Sequence, residues 1–294
     1  MATINASQDY DFISTLTFDS ASGNCNIELN RGSAYAGTVY YRAGTSGSWT
    51  SLSVIAPSIF DDPTTFPVSS TTMQVANDWN KSGNDYMTQS FKEQSSNLTE
   101  IAISQKAVLS GVIGNNFMTA YARDCSSLTS LSVPDTSSVT SVGDDFMRFY
   151  SMDCSSLTSL SVPDTSSITS VGDFFMGLYA KDCSSLTSLS VPDTSSVTSV
   201  GDDFMRQYAR DCSSLERLEL PEIGWFASNN VDWSVPSGRL NNLKGYVQNS
   251  TDLSDWQGVT SSGETLHTNY IRSTSDVINE NAFTNNSNFL AFMQ

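Results

Sequence analysis

A 29-residue unit recurs through the middle of this chain. From Leu128 the sequence reads LTSLSVPDTSSVTSVGDDFMRFYSMDCSS, and the same pattern starts again at Leu157, at Leu186 and, in degenerating form, at Leu215. An earlier copy, which starts at Leu98, has diverged and is one residue longer. One such unit cannot bury its apolar face alone, whereas stacked units share a continuous core. The repeat therefore predicts a solenoid.

The first half of each unit predicts a short strand and a turn. Leu128, Leu131 and Val133 have the spacing of a strand with one face inward. Pro134 ends that strand, because it has no N–H to donate to a neighbouring strand. The polar segment that follows is a turn, in which Asp135 is placed to accept hydrogen bonds from the nearby backbone.

The second half of each unit predicts a short helix. Asp144 follows a glycine and is a suitable N-cap. Four apolar residues after it fall within an arc of about 100° on a helix, which is a buried stripe. The stripe consists of Phe146, Met147, Tyr150 and Cys154. We therefore expect an α+β leucine-rich-repeat solenoid whose unit is a strand, a turn and a short helix.

The repeat region, residues 98–221, resembles the leucine-rich repeats of BspA-like bacterial surface proteins. The matching residues are the C-S-S-L-T-S-L-S-V-P run, followed by V-T-S-V-G and F-M. The resemblance implies a non-enzymatic surface protein, since BspA-like proteins are typically adhesins that bind host or matrix molecules. The unit is longer here than in that family, because the predicted helix extends over residues 146–154.

The two ends differ from the repeats. Residues 1–66 predict an N-terminal β-sandwich-like domain, with a hairpin formed by residues 38–42 and 49–52. Residues 67–97 predict a junction with a degenerate repeat, and residues 222–294 a C-terminal capping subdomain and tail. The aromatic residues that would fill this cap, or alternatively form a carbohydrate-stacking platform, are Trp225, Phe226, Trp233, Tyr246 and Trp256.

The composition and motifs point away from catalysis. The net charge is −17, from 31 acidic and 14 basic side chains. Such a chain repels phosphate backbones and anionic lipid, so we expect neither nucleic acid nor a membrane as a partner. His267 is the single histidine, and no metal-binding or nucleophile motif surrounds it. We therefore expect no enzyme activity, no cofactor and no bound metal.

Cysteines and aspartates recur at the repeat spacing. The cysteines lie on the predicted apolar stripe, where a thiol behaves as a small hydrophobe; a disulfide or a metal site is the alternative. The aspartates form two rows that we expect to make turn and cap hydrogen bonds, with calcium bridging as the alternative. The cysteines are Cys125, Cys154, Cys183 and Cys212, and the aspartate rows are Asp124, Asp153, Asp182 and Asp211, then Asp135, Asp164 and Asp193.

Positions that vary between the copies indicate a contact surface. Core positions hardly change, whereas four positions on the opposite face of the predicted helix do. They include apolar residues in the middle units and are mostly charged or polar in the outer ones. Clustered apolar residues on an exposed face mark a contact site; packing under the flanking domains, or drift, is the alternative. We name Phe149, Met152, Phe174 and Leu178 the variable patch.

The predicted strand also has an outward face. Thr129, Ser130 and Ser132 point away from the core, as do their copies, and we name this set the hydroxyl face. A flat array of hydroxyls suits a repetitive ligand such as a polysaccharide; ice, or solvent alone, is the alternative. The copies are Thr158, Ser159, Ser161, Thr187, Ser188 and Ser190.

Two classes of function follow from these observations. The first is a self-assembling structural component of a virion or an extracellular fibre, favoured by the variable patch, the two end modules and an odd number of cysteines. The alternative is a surface adhesin that binds glycan or host protein through the repeat face. Residues 1–7 have neither a basic start nor an apolar run, so no secretory signal is expected in them. We expect an extracellular or virion location.

Overall fold

The computed structural model describes residues 12–29, 37–54, 64–77, 89–91, 97–105, 108–190, 192–215, 217–219, 244–247, 260–261, 264–265 and 271–273. Strands and turns make up these residues, and none of them lies in an α-helix. The described part of the chain accordingly has no helix long and apolar enough to cross a bilayer.

The N-terminal part forms two antiparallel sheets. Its strands are β1 (Phe12–Phe18), β2 (Asn24–Leu29), β3 (Gly37–Ala43), β4 (Thr50–Val54), β5 (Thr64–Pro67), β6 (Thr72–Asn77), β7 (Gln89–Ser90) and β8 (Leu98–Gln105). One sheet contains the order β8-β1-β6-β3-β4, and the other has the order β5-β2-β7. Leu16, Ile27 and Met73 are among the inward-facing residues of both sheets that are fully buried in one shared core.

The repeats form coils that stack through parallel strands. Their strands are β9 (Ser110–Ile113), β10 (Ser130–Leu131), β11 (Ser138–Val142), β12 (Ser159–Leu160), β13 (Ser170–Val171), β14 (Ser188–Leu189), β15 (Ser199–Val200) and β16 (Arg217–Glu219). One ladder runs β9-β11-β13-β15 and another runs β12-β14-β16. Paired residues are equivalent positions of successive units, such as Ser141 with Ser170. Each unit is therefore one coil of a solenoid, as the repeat predicts.

The second ladder continues into the C-terminal part of the chain. The last strands are β17 (Lys244–Val247), β18 (Thr260–Ser261), β19 (Glu264–Thr265) and β20 (Ile271–Ser273). β17 pairs in parallel with β16 and β20 with β17, whereas β18 and β19 pair with each other. The aromatic residues assigned to the predicted cap lie outside the described residues, apart from Tyr246 in β17.

The predicted helix is wrong. Residues 144–153 and their equivalents form a third side of the coil, which we name the turn side, and several non-glycine residues there have a left-handed φ between 48° and 63°. The backbone bonds to neighbouring coils: Asp145 N donates to Asp173 O at 2.8 Å, and Met147 N donates to Phe117 O in the preceding coil at 2.8 Å. A helix would close these bonds within its own segment.

The side chains of the predicted stripe are nevertheless buried as expected. Equivalent rings stack along the solenoid, with the centroids of Phe146 and Phe175 5.4 Å apart and those of Tyr150 and Tyr179 5.3 Å apart. The Tyr179 hydroxyl donates to Ser161 O at 2.7 Å, so this buried polar group is satisfied. The residues that a helix would turn toward the core therefore also face the core here, where the backbone forms hydrogen bonds with neighbouring coils.

At the start of the turn side, the carboxylates of equivalent aspartates accept backbone hydrogen bonds from the next coil. Asp173 N donates to Asp144 Oδ1 at 2.9 Å, and Asp202 N donates to Asp173 Oδ1 at 2.8 Å. Asp144 therefore accepts a hydrogen bond from the next coil rather than capping a helix. Gly172 lies over Asp144, where an added Cβ would meet the backbone N of Asp144 at 2.5 Å. Only glycine fits at this position.

A separate N-terminal β-sandwich is not supported. β8 pairs with β1 on one edge and, in parallel, with β10 on the other, so the N-terminal sheet continues into the side of the solenoid. The buried hydroxyls of Tyr121 and Ser14 lie 2.7 Å apart and join the two regions. One hydrophobic core therefore serves both. The predicted domain limits stay predictions.

Candidate functional site

The four residues of the variable patch lie on the turn side and are half-buried. The structure brings Phe149 and Phe174 together around Arg148, whose Cζ lies 4.6 Å from the centroid of the Phe149 ring and 3.8 Å from that of the Phe174 ring. Arg148 also donates to Asp145 Oδ1 at 2.8 Å. One guanidinium therefore joins two coils through their aromatic rings.

The exposure of the patch differs from the prediction. The four residues were expected to be exposed, on the face of a helix opposite the buried stripe. In the structure they are half-buried because equivalent segments of successive coils lie side by side and cover part of each other. Met152 and Leu178 share this half-buried environment on the turn side.

Two of the turn-side positions at which the third coil, residues 157–185, differs from the outer coil are residues 174 and 177. The outer coil carries an acid and a base, and Arg206 Nη1 lies 3.1 Å from Asp203 Oδ1. Phe174 and Gly177 stand at the equivalent positions of the third coil. An added Cβ at Gly177 would lie 3.3 Å from Phe174 O, a tight contact. Phe174 of the third coil thus presents an aromatic ring at the position where Asp203 of the outer coil presents a carboxylate.

Sequence reasoning missed Arg148 as a member of the site. It lies at one of the positions that vary between the copies, but the prediction named only the apolar residues at those positions. The usable signal was the simultaneous change of Asp to Phe and Arg to Gly in one unit, at residues 174 and 177. That change removes an acid–base pair and leaves a neighbouring arginine beside an aromatic ring.

The first aspartate row consists of Asp124, Asp153, Asp182 and Asp211. Asp153 differs from the other three because the residue before it, Met152, is not basic. Burial raises the pKa of Asp153, and the charges of Asp124 and Asp182 raise it further. The variable patch therefore borders a carboxyl group that is costly to ionise. The other members of the row are each paired with the preceding residue: Arg123 with Asp124 at 3.0 Å, Lys181 with Asp182, and Arg210 with Asp211 at 3.1 Å.

The second aspartate row makes the predicted turn hydrogen bonds. Asp135 Oδ1 accepts from Ser137 N at 3.0 Å, and Asp164 Oδ1 accepts from Ser166 N at 3.0 Å and from the Ser166 hydroxyl at 2.7 Å. These bonds favour the ionised carboxylate and hold the pKa of Asp135 and of Asp164 below the ordinary value. In the part of the chain that the structure describes, no three His, Cys, Asp or Glu residues are grouped to hold a metal ion.

The cysteines are buried free thiols, as predicted. Cys154 Sγ donates to Ala122 O at 3.0 Å and Cys183 Sγ donates to Ser151 O at 3.0 Å, each in the preceding coil. Burial raises the pKa of Cys183 to about 12. A thiol that stays protonated is a poor nucleophile, and these buried cysteines fill the core of the coils.

The residues of the hydroxyl face are exposed, apart from Ser132, which is half-buried. Thr129 Oγ1 donates to Thr99 O at 3.0 Å, and Thr187 Oγ1 donates to Thr158 O at 3.4 Å. A hydroxyl has one proton, so a threonine that donates to the backbone turns its oxygen lone pairs to solvent. These threonines therefore present acceptors at the spacing of the coils.

His267 lies outside the described residues. No family model matches the sequence, and no curated protein matches it. Among solved structures, a leucine-rich repeat protein from Bacteroides ovatus ATCC 8483 is similar over 47% of this chain and 39% of its own length, at 18% sequence identity and a TM-score of 0.22. The chain thus spans well under two thirds of that protein.

Proposed function

We propose that this chain is a non-enzymatic structural protein that assembles with copies of itself, as a component of a virion or an extracellular fibre, through the variable patch. The observation that carries the proposal is the Arg148 guanidinium between the half-buried rings of Phe149 and Phe174. Arginine and aromatic residues are enriched at the centres of protein interfaces.

The surroundings of the patch fit an interface with an apolar centre and a polar rim. Phe149, Phe174 and Leu178 occupy the middle coils, and the coils on either side carry acid–base pairs such as Arg123 with Asp124 and Arg206 with Asp203. Paired charges around a desolvated centre exclude water without adding a large electrostatic penalty. A second copy carries the same patch, so a two-fold contact would place the two patches against each other.

The chain's charge bears on its partners and its location. A net charge of −17 disfavours nucleic acid and anionic membrane surfaces as partners. A protein or a neutral glycan remains as the class of partner. Polar Ser and Thr rows on the outside of the coils suit a protein exposed on a particle or fibre surface.

Electron microscopy of the full chain at rising protein concentration tests the proposal. We expect ordered oligomers or fibres for the natural chain, and dispersed particles when Phe149, Met152, Phe174 and Leu178 are all replaced by Ser. The matched control replaces four exposed serines by Ala, namely Ser130, Ser159, Ser188 and Ser199. Dispersed particles for the natural chain at every concentration, or unaltered assembly of the patch variant, would refute self-assembly through this surface.

A second candidate function is that of a BspA-like adhesin, which binds glycan or host protein through the hydroxyl face. The exposed threonine acceptors at coil spacing favour it. A glycan array with the natural chain and a Thr129, Thr158 and Thr187 to Val variant tests it. Binding that the valines abolish supports the adhesin, and binding that they leave unchanged argues against this face.

A further inference from the structure

One aspartate of the first row differs from its equivalents in having no base before it. In the other coils the row aspartate forms an ion pair with the preceding residue, and the pairs are Arg123 with Asp124, Lys181 with Asp182, and Arg210 with Asp211. In the second coil, residues 128–156, Met152 stands where the others have arginine or lysine. Among the described residues, Asp153 forms no ion pair. Its carboxylate is therefore without a cation of its own.

The carboxyl group of Asp153 lies between two coils that each carry an acid at the same position. Backbone hydrogen bonds hold these coils together, since Asp124 N donates to Met152 O at 2.8 Å and Asp153 N donates to Lys181 O at 2.9 Å. The charged and titratable groups around it are Asp124 with its partner Arg123 from the preceding coil, and Asp182, Lys181 and the thiol of Cys183 from the next coil.

Two like charges therefore flank Asp153. Burial raises the pKa of Asp153, and the charges of Asp124 and Asp182 raise it further. Lys181 acts in the opposite direction, but its ammonium group is engaged by Asp182. The surroundings thus favour the neutral acid over the carboxylate.

Asp153 borders the variable patch. Met152, a member of the patch, is the preceding residue, and both are half-buried on the turn side. A second molecule that covers Met152 therefore also removes water from the carboxyl group of Asp153. Covering an ionised carboxylate costs free energy unless a cation takes the place of the water, whereas the cost for the neutral acid is much smaller.

We propose that the proton on Asp153 controls how tightly copies of this chain associate, with tighter association in acid than near neutral pH. The inference rests on the proposed function, because it concerns contact through the variable patch. Two patches in contact bring two such carboxyl groups, one from each copy, and both are covered at smaller cost when they are neutral. Association is therefore coupled to proton uptake, and its strength falls as pH rises.

A background effect has to be separated from that of Asp153. The chain has 31 acidic and 14 basic side chains, so protonation of any of its acids lowers the repulsion between copies. Two variants make the separation. Asp153→Asn cannot ionise, and asparagine tolerates the φ of 63° at this residue. The matched control, Asp19→Asn, removes one exposed acid directly after β1, in the N-terminal part.

Sedimentation velocity of the full chain at about pH 5 and about pH 7.5, at equal ionic strength, tests the proposal. We expect the association constant of the natural chain to be about tenfold or more higher in acid, because a proton is taken up by each copy. Asp153→Asn is expected to associate near neutral pH almost as tightly as the natural chain does in acid, with a much smaller dependence on pH. Asp19→Asn keeps the pH dependence of the natural chain, and the Ser variant of the variable patch stays monomeric at both pH values.

Melting curves show whether each variant is folded, and Asp153→Gly, which suits the left-handed φ, replaces an Asp153→Asn variant that does not fold. The same pH dependence of association in the natural chain and a folded Asp153 variant would overturn this proposal and leave self-assembly standing. Monomers at both pH values, for the natural chain and for Asp153→Asn, would overturn this proposal and the proposed function together. Association of the Ser variant in acid would also overturn it, because the contact would then lie elsewhere.

Discussion

The guanidinium carbon of Arg148 lies 3.8 Å from the centroid of the Phe174 ring, which belongs to the next coil. Because the same guanidinium pairs with Asp145 and lies over Phe149, it holds the turn sides of two coils together. Such a contact contributes to stability as well as to any interface, and the two contributions can be measured separately.

Replacing Arg148 by Lys tests the planar contact. Lysine keeps the charge but loses the flat guanidinium that covers two rings. We expect Arg148→Lys to lower the free energy of unfolding by about 1 kcal/mol, and Arg148→Ala by about 1 to 2 kcal/mol. Urea denaturation measures both. Equal stability of the Lys variant and the natural chain would mean that the charge alone matters.

Gly172, which lies over Asp144 of the preceding coil, gives the second prediction. An added Cβ at Gly172 would meet Asp144 Oδ1 at 2.4 Å and Asp144 N at 2.5 Å, and the backbone atom cannot move aside cheaply. We expect Gly172→Ala to cost at least about 3 kcal/mol of unfolding free energy, the upper end for overpacking. The matched control is Gly177→Ala, where the nearest atom is 3.3 Å away. A mild effect at residue 172 would contradict the close stacking of the coils.

A glycine and alanine comparison at Asp153 distinguishes the turn side from a helix. Asp153 has a φ of 63°, a conformation that glycine adopts freely and alanine does not. Both substitutions remove the same carboxylate. We expect Asp153→Gly to be more stable than Asp153→Ala by about 1 kcal/mol. In a helix the order would be reversed by about the same amount, so chemical denaturation of the two variants decides between them.

The backbone of the turn side could not be predicted from the sequence, although its inward-facing side chains could. The rows of Phe146, Tyr150 and Cys154 could be predicted, since a spacing of three to four residues indicates which side chains face inward. That spacing does not reveal where an N–H finds its acceptor. The acceptor of Asp145 N is Asp173 O, 28 residues away, and no local propensity reports it.

The candidate sites divide in the same way. Phe149 and Phe174 could be found by comparing copies, because both lie at positions that vary between units whose core positions hardly change. The cross-strand contacts of Gln74 with Arg42 and Thr15 could not, since they depend on which strands pair. Nothing in the sequence near Arg42 indicates that Gln74 and Thr15 become its neighbours across the sheet.

The raised pKa of Asp153 predicts a dependence of stability on pH. The folded state binds this proton more tightly than the unfolded state, so stability falls as pH rises through the window between the ordinary and the raised pKa. We therefore expect Asp153→Asn to raise the melting temperature near neutral pH and to lose that advantage in acid, where the natural residue is protonated. Asparagine also tolerates the left-handed conformation.

The control for this prediction is Asp164→Asn. Hydrogen bonds from Ser166 lower the pKa of Asp164, so its ionised form stabilises the fold above its ordinary pKa and that contribution is lost in acid. The Asn variant is therefore expected to melt lower near neutral pH, opposite to Asp153→Asn. Melting curves at several pH values measure both. The same direction of change in the two variants would refute the assignment.

Sedimentation velocity over a range of protein concentrations tests the central claim most directly. For the natural chain we predict a sedimentation coefficient that rises with concentration. For the variant with Phe149, Met152, Phe174 and Leu178 replaced by Ser, we predict a constant monomer value, with a lower melting temperature because the contacts of Arg148 with both rings are lost. A natural chain that stays monomeric throughout, or a folded Ser variant that associates as strongly as the natural chain, would contradict the account.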